Sequence, residues 1–162
     1  MWYAVSVSKQ TDFIASVVPA AQASEAQYGV PASVTISQAI LETGWGNSLP
    51  PGSNNYFGIK AVAGQSSVEC QTGEVVNGEP VTITAGFAAY PTPADSFTAH
   101  AKLLAENPRY LSAMAQRNDP LAFCTMLQTC GYSTSPIYAH TLQTIIIQYN
   151  LRQYDGGKES KE

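Results

Sequence analysis

The feature that most narrows what this chain can fold into is a repeated pairing of a capping residue with proline. Thr92-Pro93, Asp119-Pro120 and Ser135-Pro136 each set a side chain able to cap a helix before a proline suited to the first helical position. Proline loses nothing there, because its missing N–H would have no partner inside the helix. Thr92 is followed three residues later by Asp95, the spacing of a capping box, and that helix runs towards Glu106. Asn107-Pro108 breaks it, and residues 109–116 read as a short helix. The helix opened by Asp119-Pro120 ends at Gly131. The one opened by Ser135-Pro136 carries Tyr138, Leu142, Ile145, Ile146 and Tyr149 at helical spacing.

The first half reads similarly. Phe13, Val17, Ala21 and Tyr28 mark a helix over residues 12–28, with Thr11 as its cap, Pro19 kinking or splitting it, and Gly29 closing it. Pro31, at a first helical position, opens a second helix through Thr43, and Gly44 stops it. Prolines, glycine and asparagines then make residues 47–55 a loop. Asn77-Gly78 is a hairpin turn between strands over 68–76 and 79–87, the second alternating from Val81 to Phe87. One hairpin among helices predicts a mostly helical α+β domain. It spans residues 1–154, and 155–162 form a polar tail or linker.

Composition excludes several classes of function. Hydrophobic residues at 44% suffice for a core, and no apolar run is long enough to span a membrane. Eight basic residues against twelve acidic ones give a net charge of −4, and a nucleic-acid binder needs a basic face. The N-terminus lacks the basic and apolar regions of a signal peptide. Cys70, Cys124 and Cys130 fit neither a metal site nor a disulfide framework and read as three buried free thiols. No metal or organic cofactor is implied.

Elimination leaves carboxylates as the reactive groups. Both histidines, His100 and His140, fall mid-helix outside any nucleophile or metal motif, as exposed or hydrogen-bonded residues. Nucleophile-elbow and phosphate-loop motifs are absent. Asp95 and Asp119 are caps, while Glu42 stands at a helix end and Glu69, Glu74 and Glu79 stand on the hairpin. Carboxylates facing one another across a cleft suit glycoside hydrolysis. Thr35, Gln38 and Glu42 form one polar stripe, which is either a solvated face or part of a site. The Thr43-Gly44-Trp45-Gly46 turn can set an indole beside Glu42, and desolvation there raises a carboxyl pKa as a general acid requires.

These residues carry a resemblance. Gly29-Val30-Pro31 and the run Ser37-Gln38-Ala39-Ile40-Leu41-Glu42-Thr43-Gly44-Trp45-Gly46 resemble glycoside hydrolase family 73, the peptidoglycan N-acetylglucosaminidases. The similarity continues through Asn54-Asn55-Tyr56-Phe57-Gly58-Ile59-Lys60, Phe87-Ala88-Ala89-Tyr90, Asn107-Pro108-Arg109-Tyr110 and Gly131-Tyr132-Ser133-Thr134-Ser135-Pro136-Ile137-Tyr138. Five landmarks in order cover roughly residues 12–150.

The resemblance implies a lysozyme-like fold, with a helical lobe and a small hairpin lobe across a substrate groove. It implies cleavage of the β-1,4 bond after N-acetylglucosamine in peptidoglycan, with Glu42 as general acid and Glu69 as second acid. Glu74 is the alternative second acid or a substrate contact. With a two-residue turn, Glu74 shares a face with Val81, Ile83 and Phe87, and Glu69 points to the opposite, more polar face; a bulge reverses this. Tyr132 matches a family tyrosine that supports the site, with Tyr138 as a second candidate or a core residue. Asn55 and Tyr56 match a loop that holds the sugar, and Trp45 is a substrate contact or a core indole. The partner is then the glycan strand, met outside the cell, at the wall, or as part of a phage virion or lysin, with further domains of a larger protein possible. A lytic transglycosylase or muramidase, and a silent wall-binding module, are the alternatives.

Overall fold

The computed structural model describes residues 2–156, with side chains from Lys9 onward. Six helices and one hairpin follow in the order α1 (Trp2–Tyr28), α2 (Ala32–Thr43), β1 (Ser67–Val76), β2 (Glu79–Ala88), α3 (Pro93–Glu106), α4 (Leu111–Met114), α5 (Pro120–Thr129) and α6 (Tyr138–Gln148). Single-turn 3-10 segments at Pro108–Tyr110 and Leu151–Tyr154 complete it. The mostly helical α+β expectation holds.

Everything is built around α2. Its residues 32–40 are all buried, polar ones included, and α1, α5, α6 and the Leu151–Tyr154 turn pack against it. Phe13, Val17 and Ala21 of α1, Phe123 and Leu127 of α5, and Leu142 and Ile146 of α6 supply the surrounding core, joined by Phe97, Ala101 and Leu104 of α3. A helix enclosed in this way cannot leave its first N–H groups to water. Two carboxylates distant in sequence serve them. Glu25 accepts from the Ala32 N–H at 3.2 Å, and Asp155 accepts from the Ser33 N–H at 2.6 Å and its hydroxyl at 2.7 Å. Both negative charges stand at the positive end of the helix dipole.

Several local expectations shift. Thr92 forms the capping box with Asp95 and Asp119 caps α5, each before its proline. Pro31, however, is the cap residue of α2 and not its first helical residue; its carbonyl accepts from Val34 and Thr35. The last helix starts at Tyr138, because Ser135 uses its hydroxyl on the Ile137 N–H in a preceding turn. Thr11 caps nothing, since α1 begins at Trp2 and continues through Pro19 as one helix, with Val17 and Ala21 buried on either side. The short helix expected over 109–116 is a 3-10 turn followed by α4. Asp155, where the sequence turns polar, is a cap of α2, and residues 157–162 lie outside the described residues. The cysteines are free, but only Cys124 is buried; Cys70 and Cys130 are half-buried.

The hairpin pairs without a bulge. Val76 faces Glu79 across Asn77-Gly78, and the register runs to Ser67 opposite Ala88. Its base is anchored to the body. Phe87 and Ala88 are buried, and the Ala61 N–H donates to Gly86 as the Ala88 N–H donates to Ile59, each at 2.9 Å. Towards the tip Val75, Val76, Val81 and Ile83 are exposed, while the β1 face carrying Val68, Cys70, Thr72 and Glu74 is half-buried.

Capping by a distant carboxylate is open to test. Asp155→Ala removes the acceptor of Ser33, and thermal unfolding is expected to show a loss of about 1–2 kcal/mol. An unchanged melting temperature means that the cap contributes nothing.

Candidate active site

Glu42 lies in the last turn of α2, where the helix leaves the core. Thr43 is buried, and its hydroxyl donates to Ala39 and accepts from the Gly46 N–H, which fixes the turn. Gly44, Trp45 and Gly46 have φ of 55°, 63° and 88°, three left-handed residues in succession. A tryptophan in this region costs about 1–2 kcal/mol. Its indole is held edge-on by Phe13 at 5.9 Å and Tyr149 at 5.0 Å, and that packing opposes the strain. Trp45 is therefore a half-buried clasp between α1 and the end of α6.

Glu42 is crowded by the loop and helices around it. Its side chain opens to solvent by area, yet its carboxyl end is backed by protein, and burial raises its pKa above the ordinary 4.5. The carboxylate lies directly against Gly58. Tyr132 and Tyr138 are near enough for the Glu42 charge to oppose their ionisation, although burial is the larger cause of their raised pKa values. The carbonyl end of α2 also disfavours a negative charge at this position.

Beneath Glu42 the polar stripe turns inward. Thr35 and Gln38 are 0% and 2% exposed, so a solvated face is excluded. The Gln38 amide donates to the Tyr138 hydroxyl at 2.9 Å, and its oxygen meets His100 Nε2 at 2.8 Å. That oxygen can only accept, so Nε2 carries the imidazole proton. Nδ1 is left without a partner among the described residues. His100 is fully buried, stacked on Phe57 at 4.0 Å, and burial pushes its pKa down to about 3. Tyr138 in turn stacks on Tyr132 at 5.6 Å, and Tyr132 also meets His100 edge-on at 6.1 Å. The two tyrosines thus form one aromatic wall beside Glu42, half-buried and not wholly core. Arg109 anchors the loop behind it, donating to the carbonyls of Cys130 at 2.8 Å and Gly131 at 3.0 Å.

The loop carrying Asn55 and Tyr56 has a different role from the one its sequence suggests. Asn55 is 0% exposed, and its amide is fully used. It donates to Ile59 and Ala88 at 2.8 and 2.9 Å and accepts from the N–H groups of Phe57 and Ile59. No valence remains for a sugar, so Asn55 is the bolt that fixes loop and hairpin base together. The Tyr56 ring is half-buried between Phe13 at 6.3 Å and Phe97 at 5.4 Å. On the hairpin, Glu74 shares its face with Val81, as the register requires, and pairs with Lys60 at 2.7 Å. Glu69 is on the opposite face, exposed, and without a hydrogen-bond or ion-pair partner among the described residues.

Sequence reasoning had set His100 aside with His140, which is exposed. A signal was present: Phe97, His100, Ala101 and Leu104 form an apolar stripe with a histidine in it, and such a residue must be buried. Gly58 carried no comparable signal. A cavity lined by Gln22, Glu25, Arg117, Tyr154 and Asp155 opens at the other end of α2, about 16 Å away along the helix, too far to serve Glu42. Among the described residues no cluster of three or more His, Cys, Asp or Glu could hold a metal, and no helix is long and apolar enough to cross a membrane.

The chain is similar to known proteins over most of its length. The glucosaminidase family model, described as mannosyl-glycoprotein endo-beta-N-acetylglucosaminidase, matches residues 18–151. The exo-glucosaminidase LytG of Bacillus subtilis is 36% identical over 163 residues, covering 93% of this chain and 58% of LytG. The peptidoglycan hydrolase FlgJ of Vibrio parahaemolyticus is 38% identical over 133 residues, covering 78% of this chain and 43% of FlgJ. The chain thus spans about half the length of these relatives. The crystal structure of the catalytic domain of the autolysin Auto from Listeria monocytogenes superposes with a TM-score of 0.81 at 34% identity, covering 91% of this chain and 88% of that one.

The buried imidazole has a measurable consequence. His100 stays neutral in the fold while the unfolded chain takes up a proton below the ordinary 6.5. Its contribution is therefore complete above 6.5 and is lost as pH falls from there towards 3, at up to about 1.4 kcal/mol per pH unit. Urea unfolding at several pH values in that window should show a shallower loss for His100→Gln than for wild type. Equal slopes would contradict the buried neutral ring.

Proposed function

The chain belongs to the glucosaminidase family, and on that premise we propose that it hydrolyses the β-1,4 bond after N-acetylglucosamine in peptidoglycan, with Glu42 as the general acid. The observation that carries this reading is a carboxyl with a raised pKa at the open end of a buried helix, against a glycine and beside two stacked tyrosines. A carboxyl that keeps its proton towards neutral pH can give it to the leaving glycosidic oxygen as the anomeric C–O bond breaks. The positive charge that develops on the sugar then needs a second negative group, and a water must add to the anomeric carbon.

Glu69 fits the second role better than Glu74, because Glu74 is neutralised by Lys60 while Glu69 is open on the other face. A hairpin anchored at its base and by the exposed Lys60–Glu74 pair can bend over a glycan strand and bring Glu69 in when substrate is bound. The substrate's own acetamido carbonyl is the other route to stabilising the same carbon. Tyr132 and Tyr138 line the Glu42 side, where their rings offer the sugar an apolar wall. The glycan strand is the partner, met outside the cell, at the wall or in a phage particle, and the greater length of the relatives favours additional domains in the whole protein.

Mass spectrometry of fragments released from purified peptidoglycan tests the bond assignment. Reducing N-acetylglucosamine ends are expected, and 1,6-anhydro-muramic ends or no release at all would defeat it. Glu42→Gln is expected to lower turnover by about 10²–10⁴-fold with the fold intact. The alkaline limb of the wild-type profile should lie above 4.5, because activity is lost as Glu42 gives up its proton. On the same substrate Glu69→Gln should collapse turnover while Glu74→Gln does not; the reverse result transfers the role to Glu74.

A further inference from the structure

We propose that Gly58 positions the general acid: the space left by its missing side chain is the seat of the Glu42 carboxylate. This inference rests on the reading of Glu42 given above and extends it to a residue with no reactive group. A methyl group at position 58 would overlap Glu42 Oε2, lie 2.9 Å from its Cδ and 3.4 Å from Oε1. Its three nearest neighbours outside the adjoining residues are all atoms of that carboxyl group.

The surroundings decide which partner would yield. Gly58 is held on both sides. Phe57 before it is 6% exposed, edge-on to Phe97 at 4.9 Å and stacked on His100. Ile59 after it donates to Asn55 at 3.1 Å and accepts from Ala88 at 2.9 Å. The end of α2 is equally fixed by the Thr43 hydroxyl. Between two rigid backbones the one soft element is the Glu42 side chain, whose edge is open to solvent. A side chain at position 58 therefore costs little fold and displaces the carboxylate into water. Its proton is then held less tightly and is offered from the wrong place, and small misplacements at a reacting centre cost large factors in rate.

Backbone strain is the competing explanation, since Gly58 has φ of +66°. Gly64 provides the control. It has φ of +83° and nothing within 4 Å of an added methyl group, so Gly64→Ala carries the strain without the overlap. The titratable groups facing Glu42 are the phenols of Tyr132 and Tyr138, both raised by burial, so neither charges in the range where Glu42 titrates.

The experiment compares Gly58→Ala, Gly64→Ala, Glu42→Gln and wild type in thermal unfolding, in kcat and KM on peptidoglycan, and in the titration of the Glu42 carboxyl carbon by NMR. Both alanine variants are expected to melt within a few degrees of each other. Gly58→Ala alone is expected to lose at least about tenfold in kcat with KM little changed, and its Glu42 should titrate at lower pH, closer to 4.5. Wild-type kcat and an unmoved titration in Gly58→Ala overturn the proposal, as does an equal loss of activity in Gly64→Ala. An active Glu42→Gln defeats the acid assignment instead, and the NMR titration then still decides whether Gly58 seats the carboxylate. If Gly58→Ala does not fold, Gly58→Ala with Glu42→Ala removes the overlap and must fold; its failure to do so also overturns the proposal.

Discussion

A helix enclosed on all sides is the constraint from which the rest of the structure follows. Residues 32–40 of α2 have no exposed face, so their polar groups depend on partners inside the protein, and among the described residues the Thr35 hydroxyl is the one side-chain group of the stretch left without one. The solutions differ at its two ends. At the N-terminus, carboxylates from α1 and from the last turn of the chain accept the unpaired N–H groups. In the middle, Gln38 joins two residues that no local pattern connects, His100 on α3 and Tyr138 on α6. At the C-terminus three left-handed residues turn the chain out of the core, and Glu42 emerges with it.

The site is thus the exit of a buried helix, and its chemistry derives from that position. An acid in the last turn of α2 meets the negative end of the helix dipole, crowded surroundings and two neutral phenols. Burial and the helix dipole act in the same direction, holding the proton on. The polar chain below adds order and contributes no charge, because the buried imidazole stays neutral. The aromatic wall is equally constrained: Tyr138 is tied to Gln38, Tyr132 is stacked on Tyr138, and Arg109 holds the loop behind both. Rigidity is concentrated on the side that carries Glu42.

The opposite lobe is built differently. Its two strands satisfy each other's hydrogen bonds but cover no core, and an isolated hairpin is marginal in water. One of its faces is half-buried along Val68, Cys70, Thr72 and Glu74, and Glu74 pairs with Lys60. What holds it is the seam at its base, where Asn55 ties the loop to Ala88 and the 59–61 segment pairs with 86–88. A fixed half faces a loosely held half, and the Gly58 loop is the joint between them.

Short-range chemistry was legible in the sequence. Thr92 with Asp95, and Asp119 before Pro120, mark helix starts because a cap bonds within three residues. Asn77-Gly78 set the hairpin register because a two-residue turn leaves only one way to pair the strands. The motif around Glu42 likewise marks it as the candidate acid from residues adjacent in sequence. What the sequence did not contain was which polar residues face inward and who satisfies them. Gln38 read as part of a solvated face or of a site, Asn55 as a sugar ligand, Asp155 as a tail, and Gly58 as one glycine among twelve. Each of these was decided by a partner far along the chain, from 16 residues for Gly58 and Glu42 to 122 for Ser33 and Asp155. Caps and turns are fixed by their neighbours in sequence; burial, and the pKa and pairing that come with it, are fixed only when the helices close around α2.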